Sequence, residues 1–101
     1  MELKDEFGPI RDWAENRGLY EKGDIKTQFI KLQEEVGELA KAILKNDSLE
    51  FDDAIGDCVV VLTNLAHLGG VTIEDCVNKA YNVIAKRTGK MENGTFVKDA
   101  K

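Results

Sequence analysis

The chain has 101 residues, a length at which one hydrophobic core and one domain are the norm. Hydrophobic residues make up 43% and charged residues 33%, but only 7% are aromatic, so helices sharing a core with a second subunit would suit it. The formal net charge of −5 opposes long-range attraction to nucleic acid or to an anionic membrane, and no run approaches the ~20 apolar residues that span a bilayer.

The opening MELKDEFGPIRDW has no apolar core of the kind a secretory signal needs, which makes a cytoplasmic location the expectation. Residues 1 to 18 are predicted as a short helix: Pro9 fits a first turn, Ile10, Trp13 and Ala14 recur at helical spacing, and Gly18 can end it. Trp13 reads as a packing residue, with stacking on a base as the alternative. Residues 19 to 24 read as a loop whose Asp24 caps the next helix.

A long helix is predicted from Ile25 to Asn46, with Phe29, Leu32, Val36, Leu39, Ala40 and Ile43 forming one apolar stripe. At ~100° per residue, Gln28, Lys31, Glu35 and Glu38 form a polar stripe on one flank, and Glu34 points ~100° away from Glu35. Asp47 starts the following helix, with Glu50 completing a capping box and Gly69-Gly70 ending it. Between Ala54 and Leu68 this helix is apolar almost all round, the pattern of a helix buried at the centre of a bundle. Through it runs one polar line: Glu50, Asp53, Asp57 and Asn64 fall within about 60° on the helical wheel. Thr72 and Asp75 mark another helix start, whose apolar face continues to Gly89. Asn93-Gly94 between two short extended segments signals a hairpin or an ordered tail over residues 90 to 101.

Glu35 with Glu38, and Asp53 with Asp57, are two carboxylate pairs on consecutive helices. A short connection around Asp47 requires those helices to pack antiparallel, which brings the pairs to the same end of the hairpin. Asp57 is the most telling member, because five apolar residues follow it and an unpaired carboxylate there costs several kcal/mol. Hard oxygen donors without histidine or thiolate suit Mg²⁺, or Mn²⁺, and such ions hold polyphosphates. The competing view is a salt-bridged helix face around Lys31 and Lys41, or a buried partner of Asp57 among the cations. Cys58 and Cys76 lack a CxxC spacing and His67 is the sole histidine, so neither a zinc site nor a Glu-x-x-His di-iron bundle is expected.

The segments EEVGELAKAI, DDAIGDCVVVLTNLA and KAYNVIAKR resemble the MazG-like branch of the all-α nucleoside triphosphate pyrophosphohydrolases, over roughly residues 13 to 97. The family pattern is EExxE, a spacer, then ExxD. Glu34, Glu35 and Glu38 match the first part and Asp57 the last position, whereas Ala54 holds the place of the second glutamate, so that Asp53 must supply that ligand or the site has one fewer. The resemblance implies an all-α domain built on an antiparallel helical hairpin, a four-helix-type bundle completed by dimerisation into a homodimer or dimer of dimers. It implies Mg²⁺-dependent hydrolysis of nucleoside triphosphates between the α and β phosphates, yielding the monophosphate and pyrophosphate. Glu35, Glu38, Asp53 and Asp57 are the ligands so indicated, with Glu34 either a further ligand or the group that orients or deprotonates water. Asn82 is similar to a family asparagine near the metals, and Lys79, Lys86 and Arg87 to its phosphate-facing cations; Lys31 either contacts phosphate or offsets the glutamates. A catalytically silent nucleotide-binding or regulatory module, and a purely structural helical dimer, are the other classes the sequence allows.

Overall fold

The computed structural model describes residues 5 to 100. Helix α1, Phe7–Asn16, lies within the helix expected over residues 1 to 18, of which residues 1 to 4 fall outside the described ones. Pro9 occupies its first turn, where a missing N–H breaks no helical bond. Gly18 then takes a left-handed φ of 77° and redirects the chain into a single turn, α2, Leu19–Lys22. That turn stands where a loop is expected, because four residues are too few to display a helical period. Asp24 caps α3, Ile25–Lys45, by accepting from the Thr27 N–H at 2.8 Å.

The corner that follows is tight. Asn46 closes α3 in the left-handed region at φ 53°, and Asp47 opens α4, Ser48–Leu68, by accepting from the Glu50 N–H at 3.1 Å. Two 21-residue helices joined in this way lie antiparallel along their lengths, and their packing is the main tertiary interface. Gly70, at φ 81°, ends the run after α4. Thr72 caps α5, Ile73–Ile84, through the Asp75 N–H at 3.1 Å. This helix stops five residues short of Gly89: the N–H groups of Lys86 and Arg87 reach back only three residues, to Val83 and Ile84, tightening the last turn. Strands β1, Gly89–Glu92, and β2, Thr95–Lys98, pair antiparallel about Asn93-Gly94, whose φ angles of 50° and 83° suit a two-residue hairpin turn. The architecture is therefore all-α with a terminal β-hairpin.

The core is thin. Ala14, Ala42, Ala54 and Val61 are its buried apolar members, small side chains that let helices approach closely. Helix α4, apolar all round in sequence, is covered on one side by α3 and on another by α1, and Ile55, Val59 and Leu62 remain 36–43% exposed. Full burial, the expectation for this helix, is thus not reached within one chain. Helices α4 and α5 diverge by 102°, α4 is the main packing partner of α5, and the radius of gyration is 16.2 Å against the ~13 Å of a compact chain of this length. No single described helix is long and apolar enough to cross a membrane.

One polar network ties the N-terminal elements to α4. The Tyr20 hydroxyl donates to Asn64 Oδ1 at 2.7 Å while its ring stacks on His67 with centroids 3.9 Å apart. Asn64 is 2% exposed, so this bond serves an amide that water cannot. Arg11 adds a bidentate pair to Glu74 at the start of α5, at 2.8 and 2.7 Å. Replacing Tyr20 by Phe preserves the stack but leaves the Asn64 oxygen without its donor, and urea denaturation should show a loss of about 1–3 kcal/mol. An unchanged unfolding midpoint would show that the hydroxyl does not secure α2 to α4.

Candidate active site

The antiparallel hairpin brings Glu35 of α3 opposite Asp57 of α4, with Asp53 one turn from Asp57 on the same helix. Two effects record the meeting. Burial, and then the charges of Asp53 and Glu35, push the Asp57 carboxyl above the ordinary carboxylate range, with hydrogen bonding to both neighbours adding to the rise. The Cys58 thiol is likewise pushed up, by burial first and then by Glu35 and Asp57. In the other direction, the Lys31 ammonium is held in its charged form by its hydrogen bond to Glu35 and by the glutamates' charge.

The glutamates on α3 divide as their wheel positions predict. Glu35 has a side chain only 14% exposed, whereas Glu34 is 64% exposed, and Lys31 bridges them at 3.3 and 3.5 Å. Glu38 stands one turn on, 57% exposed, with Lys41 at 3.8 Å. Its i,i+3 spacing from Glu35 makes it a neighbour on the same helix face. Ala54, where a glutamate is expected by the EExxE…ExxD pattern, is 3% exposed and belongs to the core. The exposed Asp53 is the acid that adjoins Asp57.

Among the described residues no three acidic, histidine or cysteine side chains are gathered closely enough to hold a metal ion. Glu35, Asp53 and Asp57 nevertheless share one electrostatic neighbourhood, and like charges without a counterion repel. Both observations describe one state, that of carboxylates near each other but not convergent. The donor set itself fits a hard divalent cation: it is all carboxylate oxygen, without imidazole, and the adjoining Cys58 thiol is held protonated.

The basic residues lie elsewhere. Asn82 near the end of α5, and Lys86 and Arg87 just beyond it, line a cleft of about 620 Å³ with Thr88, Lys98 and Asp99. Lys79 is exposed on α5. Lys98 is a cation of this cleft that sequence reasoning missed, because only the hairpin pairing of Gly89 with Lys98 carries it back beside α5. Since α5 packs on α4 and diverges from it, this cleft and the acidic cluster remain separate neighbourhoods of one chain. An apolar depression of about 350 Å³ at the α3–α4 corner, lined by Ala42, Ile43 and Phe51, involves none of the predicted site residues.

The α3–α4 hairpin thus presents acids from two facing helices. A family model, the MazG nucleotide pyrophosphohydrolase domain, matches residues 24–91. The chain belongs to that family, and the match includes α3, α4 and α5 entire. It is also similar to an uncharacterized 18.2 kDa protein from the rep-hol intergenic region of Haemophilus phage HP1 (strain HP1c1), 49% identical over 57 residues. That stretch is 56% of this chain and 35% of the phage protein, so the chain spans well under half of its relative's length. No solved structure matches the chain.

The raised Asp57 carboxyl makes a sign-specific prediction. The folded chain binds this proton more tightly than the unfolded one, whose carboxyl titrates near 3.8. Stability therefore falls as pH rises from that value through the raised folded one, and at neutral pH the ionised Asp57 opposes folding. In the presence of a chelator, Asp57→Asn should raise the unfolding free energy at neutral pH by at least the ~0.2–0.5 kcal/mol of an i,i+4 like-charge pair. Thermal melts at pH 4 and pH 7 check it: the gap between variant and wild type should widen at the higher pH, and a variant less stable at both would contradict the shared acidic neighbourhood.

Proposed function

We propose that this protein hydrolyses nucleoside triphosphates, ribo- or deoxyribonucleotides, at the α–β phosphoanhydride, releasing the monophosphate and pyrophosphate with Mg²⁺, or Mn²⁺, as cofactor. The observation that carries the reading is the approach of Glu35 to Asp57 and Asp53 across the α3–α4 interface, an arrangement destabilising in itself and relieved by a cation. Membership of the MazG family supports the reaction class.

In this reading Glu35, Glu38, Asp53 and Asp57 hold the metal, which when bound neutralises phosphate charge and lowers the pKa of an attacking water. Glu35 and Asp57 are fixed by helix packing and so set the position of the bound phosphates. Glu34, directed away from Glu35 and solvent-exposed, serves as a further ligand or as the acceptor that orients the water. Lys31 pairs with Glu34 and Glu35 and would either contact phosphate or offset the glutamates. Lys79 and Asn82 on α5, and Lys86 and Arg87 just beyond it, would be the phosphate-facing donors, although within one chain their cleft lies apart from the acids.

Assembly belongs to the same proposal. Large apolar side chains, Val36 and Ile43 on α3, Ile55 and Val59 on α4 and Val77 and Tyr81 on α5, are 36–61% exposed in the single chain. A homodimer, or a dimer of dimers, would cover them and complete the four-helix-type bundle.

One observation favours a second reading. With Ala54 buried in the core, the site has one acid fewer than the family pattern, as a catalytically silent nucleotide-binding or regulatory module would. Nucleotide binding without pyrophosphate release would establish that alternative. Under the hydrolase reading, Glu38→Gln and Asp57→Asn should each lower Mg²⁺-dependent pyrophosphate release by about 100-fold or more while far-ultraviolet circular dichroism stays unchanged. Undiminished turnover in both variants would remove the acidic cluster from the reaction.

A further inference from the structure

A two-stranded hairpin standing alone is marginal in water, and a third strand or a packed face is what ordinarily secures one. The hairpin of this chain has neither. Its sheet holds β1 and β2 only, every residue of both strands is exposed, and no helix is a main packing partner of either strand. Met91, Phe96 and Val97 are 66%, 48% and 41% exposed, a large share for three apolar side chains so close together.

The two edges of the sheet are not equivalent. From the hairpin side, the clefts against the end of α5 are lined by Phe96, Lys98, Asp99 and Ala100, which belong to β2 and its continuation. Strand β1 contributes to neither, so its outer edge is the open one. The pairing also fixes which backbone groups lie on that edge. The Asp99 N–H donates to the Thr88 carbonyl at 2.9 Å, and from this hydrogen-bonded pair the register alternates: Lys90 and Glu92 turn their N–H and C=O inward to β2, and Gly89 and Met91 turn theirs outward.

Three residues decide what fits there. Lys90 and Glu92 share one face, with their charged atoms 3.4 Å apart, and Met91 shares the other with its cross-strand partner Phe96 and with Gly89, where a Cβ would meet the Phe96 ring. A second β1 laid antiparallel about Met91 exchanges two backbone hydrogen bonds between the two Met91 residues. It also sets Lys90 of each copy opposite Glu92 of the other and completes an apolar row, Phe96–Met91–Met91–Phe96, across one face of the sheet. The neighbouring register, about Lys90, opposes like charges and breaks that row. The Lys-Met-Glu edge is complementary to itself.

We propose that β1 pairs with β1 of a second copy of this chain, forming a four-stranded antiparallel sheet between them. The contact is distinct from the helical faces that a bundle would cover, and it does not depend on the hydrolase reading. Being short, it is weak by itself and strongest where other contacts already hold copies together.

Disulfide trapping reads the pairing. In the full chain carrying Cys76→Ser, Met91→Cys places two thiols at a hydrogen-bonded pair whose Cα atoms lie about 5.5 Å apart, within the ~4.4–6.8 Å that a disulfide spans. Mild oxidation should then give a covalent dimer, whereas Thr95→Cys, on the strand away from the contact, should stay monomeric. Adding Lys90→Glu or Glu92→Lys to Met91→Cys should slow cross-linking about 10-fold or more, because each sets like charges opposite one another between copies. Mixing the two charge variants should restore the rate, since each chain then meets its opposite in the other, a recovery that a merely weakened hairpin would not show. The proposal is overturned by the lack of a Met91→Cys dimer, by equal cross-linking through Thr95→Cys, by a rate indifferent to the charge changes, or by no recovery on mixing.

Discussion

The structure depends on the corner at Asn46 and Asp47. By closing α3 in a left-handed conformation and capping α4 at once, it forces two 21-residue helices to lie antiparallel, and this sets Glu35 of one against Asp57 of the other. Helix packing thereby holds together charges that would separate in a free chain. Each neighbouring feature responds to that: Lys31 leans toward Glu35, the Asp57 and Cys58 protons are harder to remove, and Glu34 and Glu38 turn to solvent. A protein gains nothing in stability from such a cluster, and residues retained against stability are where a functional site is sought.

The parts of the fold governed by local chemistry are legible in the sequence. Asp24, Asp47 and Thr72 each cap the helix they precede, and Asn93-Gly94 turns the hairpin, because in every case a few adjacent atoms decide the outcome. Helix α2 escaped detection because a single turn has no period to display. The early end of α5 escaped for a related reason: the polar segment following Ile84 carries no breaker before Gly89, and only the tightened bonds of Lys86 and Arg87 mark the stop. The apolar circumference of α4 predicts burial on all sides, but α1 and α3 cover only part of it, and Ile55, Val59 and Leu62 remain partly exposed.

For the site, the acids were legible to different degrees. The division between Glu34 and Glu35 follows from ~100° per residue, and the approach of Asp53 to Asp57 from their i,i+4 spacing. Asp57 stood out through its apolar sequence neighbours. That it also borders a depression formed with α1 was not legible, since residues 44 or more positions away are brought there by packing and leave no mark on the local pattern. The same holds for Lys98, which enters the basic cleft only through strand pairing. The family match over residues 24–91 omits α1, so Trp13 had to be placed by the structure.

The central claim is that the α3–α4 acids direct cleavage to the α–β bridge of a nucleoside triphosphate. Product analysis by phosphorus magnetic resonance, on a panel of ribo- and deoxyribonucleoside triphosphates with Mg²⁺, addresses it directly. The account predicts equal amounts of nucleoside monophosphate and pyrophosphate, absent when the metal is chelated. Orthophosphate with the diphosphate as primary products, or intact nucleotide throughout, would contradict it.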